Sequence, residues 1–154
     1  MTADLTTYRH PAPGFTIPLP GDWERVPAPH DGIALVALEP EREPWFRANV
    51  VVTTEQLAAE MDLRLWQAYV DELTPRVLTD YRLVDREFTE LAARPVLRRL
   101  AHHATGRGSV TMEQWSSIHG TTGFTVTASV ATLEYVDAAE LFAEIASGLR
   151  PDPE

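Results

Sequence analysis

The sequence predicts an α+β fold in which helices pack on a predominantly antiparallel sheet of about six strands. Short segments with alternating or continuous apolar residues occur in both halves of the chain and indicate strands. Between them lies a segment whose apolar residues recur every three to four positions, which is typical of a helix. A second segment of this kind closes the chain. Several extended segments are joined by hairpin-length links, so we expect mainly antiparallel pairing.

The N-terminal part of the chain divides into a lead and the start of a domain. Residues 1–13 are polar and contain two prolines, so we predict a loosely ordered lead. Because no linker, repeat or low-complexity segment interrupts the remainder, residues 14–150 are predicted to form a single domain. Gly14–Leu19 alternates as a strand does, and a Pro-Gly turn follows it. Trp23 comes directly after this turn, and we expect it to fold back across the sheet end and fill the core.

The middle of the chain changes from strand to helix periodicity. Two further strands are predicted over residues 33–38 and 46–53, before a helix for which Asp62 is a suitable N-cap. We expect Pro75 to end or kink this helix. The apolar residues of the expected buried stripe are Leu63, Trp66, Val70 and Leu73.

The last third carries the strongest strand pattern. Strands are predicted over 81–91, 96–105, 109–119 and 123–131, followed by a helix over 137–149. If Thr105 lies opposite Ser109, and His119 opposite Gly123, then Arg99 lies opposite Trp115. The sheet then has an apolar face of Val96, Leu100, Met112, Ile118, Phe124, Val126 and Val130. The opposite face would carry Leu97, Arg99, His103, Glu113, Trp115, His119, Thr125 and Thr127.

This second face supplies the first candidate binding surface. We favour a solvated or partly helix-covered face, in which Arg99 stacks on Trp115. The alternative is a recognition surface with Trp115 as its anchor and with Arg99 and His119 as polar contacts, since Trp and Arg are enriched at binding hot spots. Trp45 and Phe46 form a second candidate, because these rings follow an acidic, proline-bounded loop. Burial of both rings at the edge of the core is the simpler expectation for them.

Composition argues against several functional classes. The 154 residues carry a formal charge of -10, which disfavours binding to nucleic acid. No cysteine is present, so thiol and zinc-ribbon chemistry is excluded. No segment has the length of apolar chain that a membrane helix requires, and the N-terminus lacks the pattern of a signal peptide. We therefore expect a cytoplasmic protein that does not insert into a membrane.

Catalytic and metal sites are also not predicted. His102 and His103 are adjacent in a strand and point to opposite faces, so they are poorly placed to hold one ion. Glu113 with His103 offers a weak acid–base pair, without any sign of a substrate pocket. We expect no catalytic residue, no metal and no cofactor.

The order of these elements resembles a known family. Gly14, Phe15, Ile17, Pro20 and Trp23 match a "GFxIxxPxxW" opening strand, and an "NVVV" segment over 49–52 matches a later strand. With the long helix, the later strands and the closing helix, the chain resembles the PsbP-like α/β/α sandwich, especially its LpqN, DcrB and Eag branches. The resemblance implies a non-catalytic binding or adaptor protein, possible homodimers, and a chaperone-like role in secretion with an effector or a membrane-associated segment as partner.

Two alternatives stay open. One is a ligand-binding or enzymatic cone domain of the NTF2-like type, which a deep cavity lined by His103, Glu113 and Tyr81 would favour. The other is a purely structural, self-associating subunit.

Overall fold

The computed structural model describes residues 4–153. Strands and helices of these residues confirm the α+β class, with ten strands in two antiparallel sheets instead of about six in one. The strands are β1 Leu5–Pro11, β2 Gly14–Pro20, β3 Glu24–His30, β4 Ile33–Leu38, β5 Asn49–Gln56, β6 Arg82–Leu91, β7 Arg94–Thr105, β8 Gly108–His119, β9 Thr122–Ala131 and β10 Arg150–Pro151. The helices are α1 Leu63–Val77 and α2 Tyr135–Ser147, and a 3₁₀ turn spans Thr132–Glu134.

The two sheets and two helices are arranged in layers. The large sheet has the order β3-β4-β5-β9-β8-β7-β6, and the small sheet has the order β1-β2-β10. Helix α2 contacts both β9 of the large sheet and β2 of the small sheet. Helix α1 contacts β7 and β8. The large sheet is thus covered on one face by α2 and the small sheet, and on part of the other face by α1.

The main core lies between the large sheet and the layer of α2 and the small sheet. The alternating residues Phe15, Ile17 and Leu19 of β2 are fully buried there. The backbone N–H of Trp23 donates to the carbonyl of Pro20 at 3.1 Å, which closes the Pro-Gly turn. Trp23 is buried in the same core cluster, as its position after the turn predicted.

The prediction of a loosely ordered lead is wrong for residues 5–11, which form β1. This strand pairs with β2 along its whole length, from Leu5 opposite Pro20 to Pro11 opposite Gly14. His10 is buried and stacks on Phe15 with ring centroids 4.9 Å apart. The strand is therefore held by the same core that buries β2, although its own residues are mostly polar.

The predicted register of β7, β8 and β9 is wrong by one residue. Thr105 lies opposite Gly108, and His119 lies opposite Thr122, so both links are two residues long. A shift of one residue exchanges the faces of a strand. Trp115 consequently lies opposite Val126, on the core face, and Arg99 lies opposite Gln114. The residues of β7 and β9 that were predicted to face the core do lie on the core face. Only in β8 do the side chains lie on the face opposite to the predicted one.

The helices differ from the predictions mainly at their ends. Asp62 caps α1 as predicted, by accepting a hydrogen bond from the N–H of Leu65 at 2.8 Å. The helix continues through Pro75 to Val77, because a proline in the last turn forfeits only one helical hydrogen bond. Leu73, expected in the buried stripe, is exposed. Helix α2 begins two residues before the predicted start, directly after the 3₁₀ turn.

Candidate functional site

The five predicted binding residues do not form one surface. Trp115 and Arg99 are both buried, with 6% and 1% of their surface exposed, and they lie on opposite faces of the large sheet. His119 is half-buried, and its Nε2 lies 3.1 Å from the carbonyl oxygen of Asp152. The predicted docking face of Trp115, Arg99 and His119 is therefore wrong, because it depended on the register that the structure corrects.

Arg99 has a structural environment beneath α1. Its Nε donates to Asp71 Oδ1 at 2.8 Å, and its Nη2 donates to the carbonyl of Gln67 at 2.9 Å. Nη1 also donates to the side-chain oxygen of Gln67. Arg86 donates to the second oxygen of Asp71 at 2.9 Å. This ion pair, in which Arg99 is buried and Asp71 is partly exposed, fastens α1 to β7, and all three guanidinium nitrogens have partners within the chain.

A second internal polar cluster lies on the core face. The carboxylate of Glu113 accepts a hydrogen bond from Arg98 Nε at 2.5 Å and another from the Tyr135 hydroxyl at 2.8 Å. Burial, and then the hydrogen bond to Glu113, raises the pKa of Tyr135 above its ordinary value. Because both carboxylate oxygens have partners, the cluster joins β8 to α2. It has the geometry of a structural contact and offers no free acid or base.

The structure also separates the residues on which the cone-domain alternative depends. Glu113 lies on the core face, opposite Leu100 and Ala128, whereas His103 lies on the other face, opposite Val110. The two side chains therefore cannot line one cavity. The geometry gives no support to an acid–base site made from this pair.

Trp45 is the predicted residue that lies open to solvent, with 61% of its surface exposed. The β4–β5 loop that carries it is anchored by Arg107, which donates to the carbonyls of Pro44 at 3.0 Å and Trp45 at 3.2 Å. Arg107 also pairs with the Glu43 carboxylate at 3.1 Å. The hydrogen bond from Arg107 to the carboxylate, together with the positive charge of Arg107, holds the pKa of Glu43 below its usual value. Phe46 is half-buried, whereas the exposure of Trp45 makes the simpler expectation, burial of both rings, wrong for Trp45.

Two further exposed apolar residues lie at the same end of the large sheet. Leu133 in the 3₁₀ turn is 98% exposed, and Val136 in the first turn of α2 is 86% exposed. The 3₁₀ turn contacts the β4–β5 loop through an ion pair between Arg42 and Glu134 at 3.1 Å. We call residues 39–48 and 132–137 together the end surface. Its exposed apolar residues are Trp45, Leu133 and Val136.

A groove of about 670 Å³ opens at the end surface and takes part of its lining from both segments of that surface. Its apolar lining comes mainly from the core, with Trp23, Val130, Ala138, Leu141 and Phe142. Its charged lining consists of five acidic residues and one arginine, namely Asp4, Asp22, Glu39, Glu134, Asp137 and Arg42. We call this hollow the acidic groove. The turn after β2, the β4–β5 loop and the start of α2 contribute to it.

Arg42 bridges two sides of the acidic groove. Its Nη1 lies 3.4 Å from Glu39 on the same loop and 3.1 Å from Glu134 on the 3₁₀ turn. The hydrogen bond to Glu134, with the charge of Glu39, raises the pKa of Arg42. Within residues 4–153, Asp22 and Asp137 take part in no salt bridge. The groove therefore keeps unneutralised negative charge.

A smaller hollow of about 290 Å³ lies between α1 and the large sheet. Trp66 lies over Gly123 in this region, and a Cβ atom at Gly123 would approach the Trp66 ring to 2.6 Å. The indole N–H of Trp66 donates to Glu55 at 2.8 Å. These contacts fix the helix to β5 and β9.

The part of the chain that the structure describes offers neither a metal site nor a membrane-spanning helix. Among residues 4–153, no three His, Asp or Glu side chains are grouped so that they could hold a metal ion. No helix in this part of the chain combines the length and the apolar character needed to cross a bilayer.

The layers of helix and sheet define the fold as an α/β/α sandwich. Comparison with known proteins shows which sandwich fold it is. Neither the models of known families nor the curated proteins give a match to the sequence. Among solved structures, cyanobacterial PsbP (CyanoP) of Synechocystis is similar with a TM-score of 0.77 at 16% identity, over 99% of this chain and 95% of that one. The chain therefore has a PsbP-like fold, as the sequence resemblance predicted.

Two other solved structures have the same fold. LpqN of Mycobacterium tuberculosis, described as involved in cell envelope biogenesis, gives a TM-score of 0.71 at 16% identity over 97% of this chain and 91% of that one. The Ran-binding protein Mog1p of Saccharomyces cerevisiae gives 0.63 at 15% identity, over 97% and 96% of the two chains. At such identities, these similarities define the fold.

The structure also adds site residues that sequence reasoning missed. Leu133 lies in the turn before the amphipathic helix α2 and Val136 lies in its first turn, where an apolar residue is ordinarily expected to be buried. The five acids of the groove come from four segments that are distant in sequence, and only Glu134 and Asp137 share a segment. Their separation in sequence hides their proximity, so only the fold could bring them together.

Proposed function

We propose that this chain is a non-catalytic protein-binding module whose partner docks on the end surface. The observation that carries the proposal is the exposure of Trp45, Leu133 and Val136 at one end of the sheet. Large apolar side chains that project into water are favourable contact points for a protein partner, and tryptophan is enriched at binding hot spots. The proposed docking site is therefore at the loops at the end of the sheet, and not on the sheet face where the sequence predicted it.

The backbone around Trp45 is already held in place by Arg107. A docking residue on an anchored loop loses less conformational entropy on binding than one on a loose loop. The ion pair between Arg42 and Glu134 similarly ties the loop to the 3₁₀ turn that carries Leu133. The end surface therefore presents its apolar residues in a prearranged geometry.

The finer role that we propose is a chaperone-like adaptor in secretion that acts in the cytoplasm. The structural neighbours include a protein described as Ran-binding and one described as involved in cell envelope biogenesis, so proteins with this fold take part in both kinds of process. An effector segment or a membrane-associated segment of another protein is the partner that this role requires. Docking without catalysis is sufficient for such a role.

Affinity capture from the organism that encodes the chain tests the docking role. The double variant Trp45→Ala/Leu133→Ser should retain a specific captured protein at least about tenfold less well than the parent chain, because both changes remove contact area at the docking site. A matched control is Leu73→Ser/Val77→Ser, which changes two exposed apolar residues of α1. Both variants should keep the circular dichroism spectrum of the parent.

Two results would contradict the proposal. One is full capture by the folded double variant, which would exclude the end surface. The other is an equal loss of capture by the α1 control variant, which would indicate nonspecific hydrophobic binding instead of a defined docking site. Sedimentation velocity at rising concentration identifies the case in which the captured protein is a second copy of the chain.

A further inference from the structure

Resting on the docking role above, we propose that the acidic groove binds a positively charged amphipathic segment of the partner protein. The segment would lay its apolar side chains on the floor of the groove and direct arginine or lysine side chains to the acidic rim. This partner chemistry follows from the charges and the apolar area of the groove.

The rim is strongly unbalanced in charge. Five carboxylates and a single guanidinium line the groove, and the whole chain has a formal charge of -10. Fields of one sign in a cleft raise the local concentration of oppositely charged partners and speed their association. An anionic partner such as a nucleic acid or an acidic lipid surface would instead be repelled. Complementarity therefore selects a basic occupant.

The floor of the groove also offers apolar surface. Ala138 and Leu141 are half-buried and supply its accessible part, and the almost fully buried Trp23 and Phe142 lie beside them in the lining. A purely polar cation would leave this apolar lining in contact with water. A segment that places apolar residues on one side and basic residues on another satisfies the floor and the rim together.

Arg42 demonstrates how the rim accommodates a guanidinium. It reaches Glu39 and Glu134 from the loop wall, and thereby neutralises one part of the rim. Asp22 and Asp137 lie in the same lining and have no salt bridge within residues 4–153. These two carboxylates are the ones that we expect to contact the basic side chains of the partner.

A synthetic peptide series tests this inference with a defined probe. The first peptide is an 18-residue amphipathic helix of leucine and lysine, the second has glutamate in place of lysine, and the third has the first composition in a scrambled order without an apolar face. Fluorescence anisotropy of labelled peptides measures the dissociation constants. The amphipathic basic peptide should bind at least about tenfold more tightly than either control peptide, and its binding should weaken as salt is raised.

Matched variants of the full chain test the location. Asp22→Asn/Asp137→Asn should weaken binding of the basic peptide about fivefold to tenfold, because two favourable charge contacts are lost. Asp31→Asn/Glu60→Gln removes the same charge from exposed positions outside the groove, so it should change binding less than about twofold. Ala138→Arg, which places a bulky cation in the groove, should block the peptide.

Resonance mapping on the isotopically labelled chain provides a second readout. The basic peptide should shift the indole resonance of Trp23 and the backbone resonances of residues 137–142. Equal binding by the groove variant and its control, or equal affinity for the basic and acidic peptides, would overturn the inference. The docking role would survive that result if capture still depended on Trp45, so the two failures are distinguishable.

Discussion

Replacing each of two tryptophans by alanine should have opposite consequences for stability and binding. Trp115 is buried in the main core, and Trp45 is exposed on the end surface. Trp115→Ala should destabilise the fold strongly, whereas Trp45→Ala should leave stability nearly unchanged and reduce partner capture. The pair is matched because the chemical change is identical at both sites.

The expected magnitude for Trp115 follows from its burial. A buried tryptophan removes about 200 Å² from water, which at about 25 cal/mol per Å² gives an upper limit of about 5 kcal/mol. Measured truncations of buried Phe or Trp to Ala cost about 3–5 kcal/mol. For a chain of this size, the cost corresponds to a drop in Tm of roughly 6–20 °C. Trp45→Ala should cost less than about 1 kcal/mol, since surface substitutions have small effects.

Urea unfolding followed by far-ultraviolet circular dichroism measures both free energies. The parent chain and both variants are compared at the same pH and temperature, with the slope of each transition checked for two-state behaviour. A Trp115→Ala variant within about 1 kcal/mol of the parent would refute the observed register of β8. It would also indicate that the tryptophan is accessible, as the predicted register required.

Three further predictions concern the contacts that hold the layers together. Gly123→Ala should destabilise the chain by about 1–3 kcal/mol in urea unfolding, because its Cβ would approach the Trp66 ring to 2.6 Å, whereas Gly106→Ala, with no atom within 4 Å, should cost less than about 0.5 kcal/mol. Equal losses of stability in the two glycine variants would contradict the close packing of Trp66 on Gly123. Arg99→Met should cost about 3 kcal/mol and speed amide hydrogen exchange in α1, since it leaves buried partners of the guanidinium unsatisfied; unchanged exchange in α1 would exclude this role. Tyr135→Phe should lower stability at neutral pH by about 1 kcal/mol, through loss of a hydrogen bond. The raised pKa of Tyr135 means that the unfolded chain loses this proton first, so parental stability should fall as pH rises from about 10 toward the folded pKa, and the variant should show a shallower fall. Parallel alkaline profiles of parent and variant would contradict the raised pKa.

The sequence predicted the layers of the fold better than the pairing within them. Alternation in β2 and periodicity in α1 followed directly from burial on one side, and Asp62 and Trp23 had the expected roles. In β8 the side chains on both faces are buried, including Val110, Met112 and Trp115. Alternation therefore could not distinguish the two registers. The length of the turns decided between them, and that length depends on backbone conformation.

The first strand shows a different limit of sequence reasoning. Residues 5–11 are mostly polar, and prolines lie at positions 11 and 13, which is typical of a lead. They form a strand because β2 offers an unpaired edge and because His10 stacks on Phe15. Both causes are tertiary contacts. A prediction from local composition has no access to them.

The candidate site was partly predictable. Trp45 was named as a candidate because its ring follows a charged loop bounded by prolines, but the favoured expectation was that the ring would be buried, and the structure leaves it exposed. The acidic groove was not predictable, since its lining comes from segments as distant as Asp22 and Asp137. The exposure of Leu133 depends on the 3₁₀ turn that precedes α2. A turn of three residues is too short to produce a recognisable helical periodicity in the sequence.

Hydrogen exchange of the chain with and without its captured protein tests the docking site most directly. The docking role predicts slower exchange in the β4–β5 loop over residues 39–48 and in residues 132–142, with α1 unchanged. Protection confined to α1 or to β6, with both of these segments exchanging as in the free chain, would contradict it.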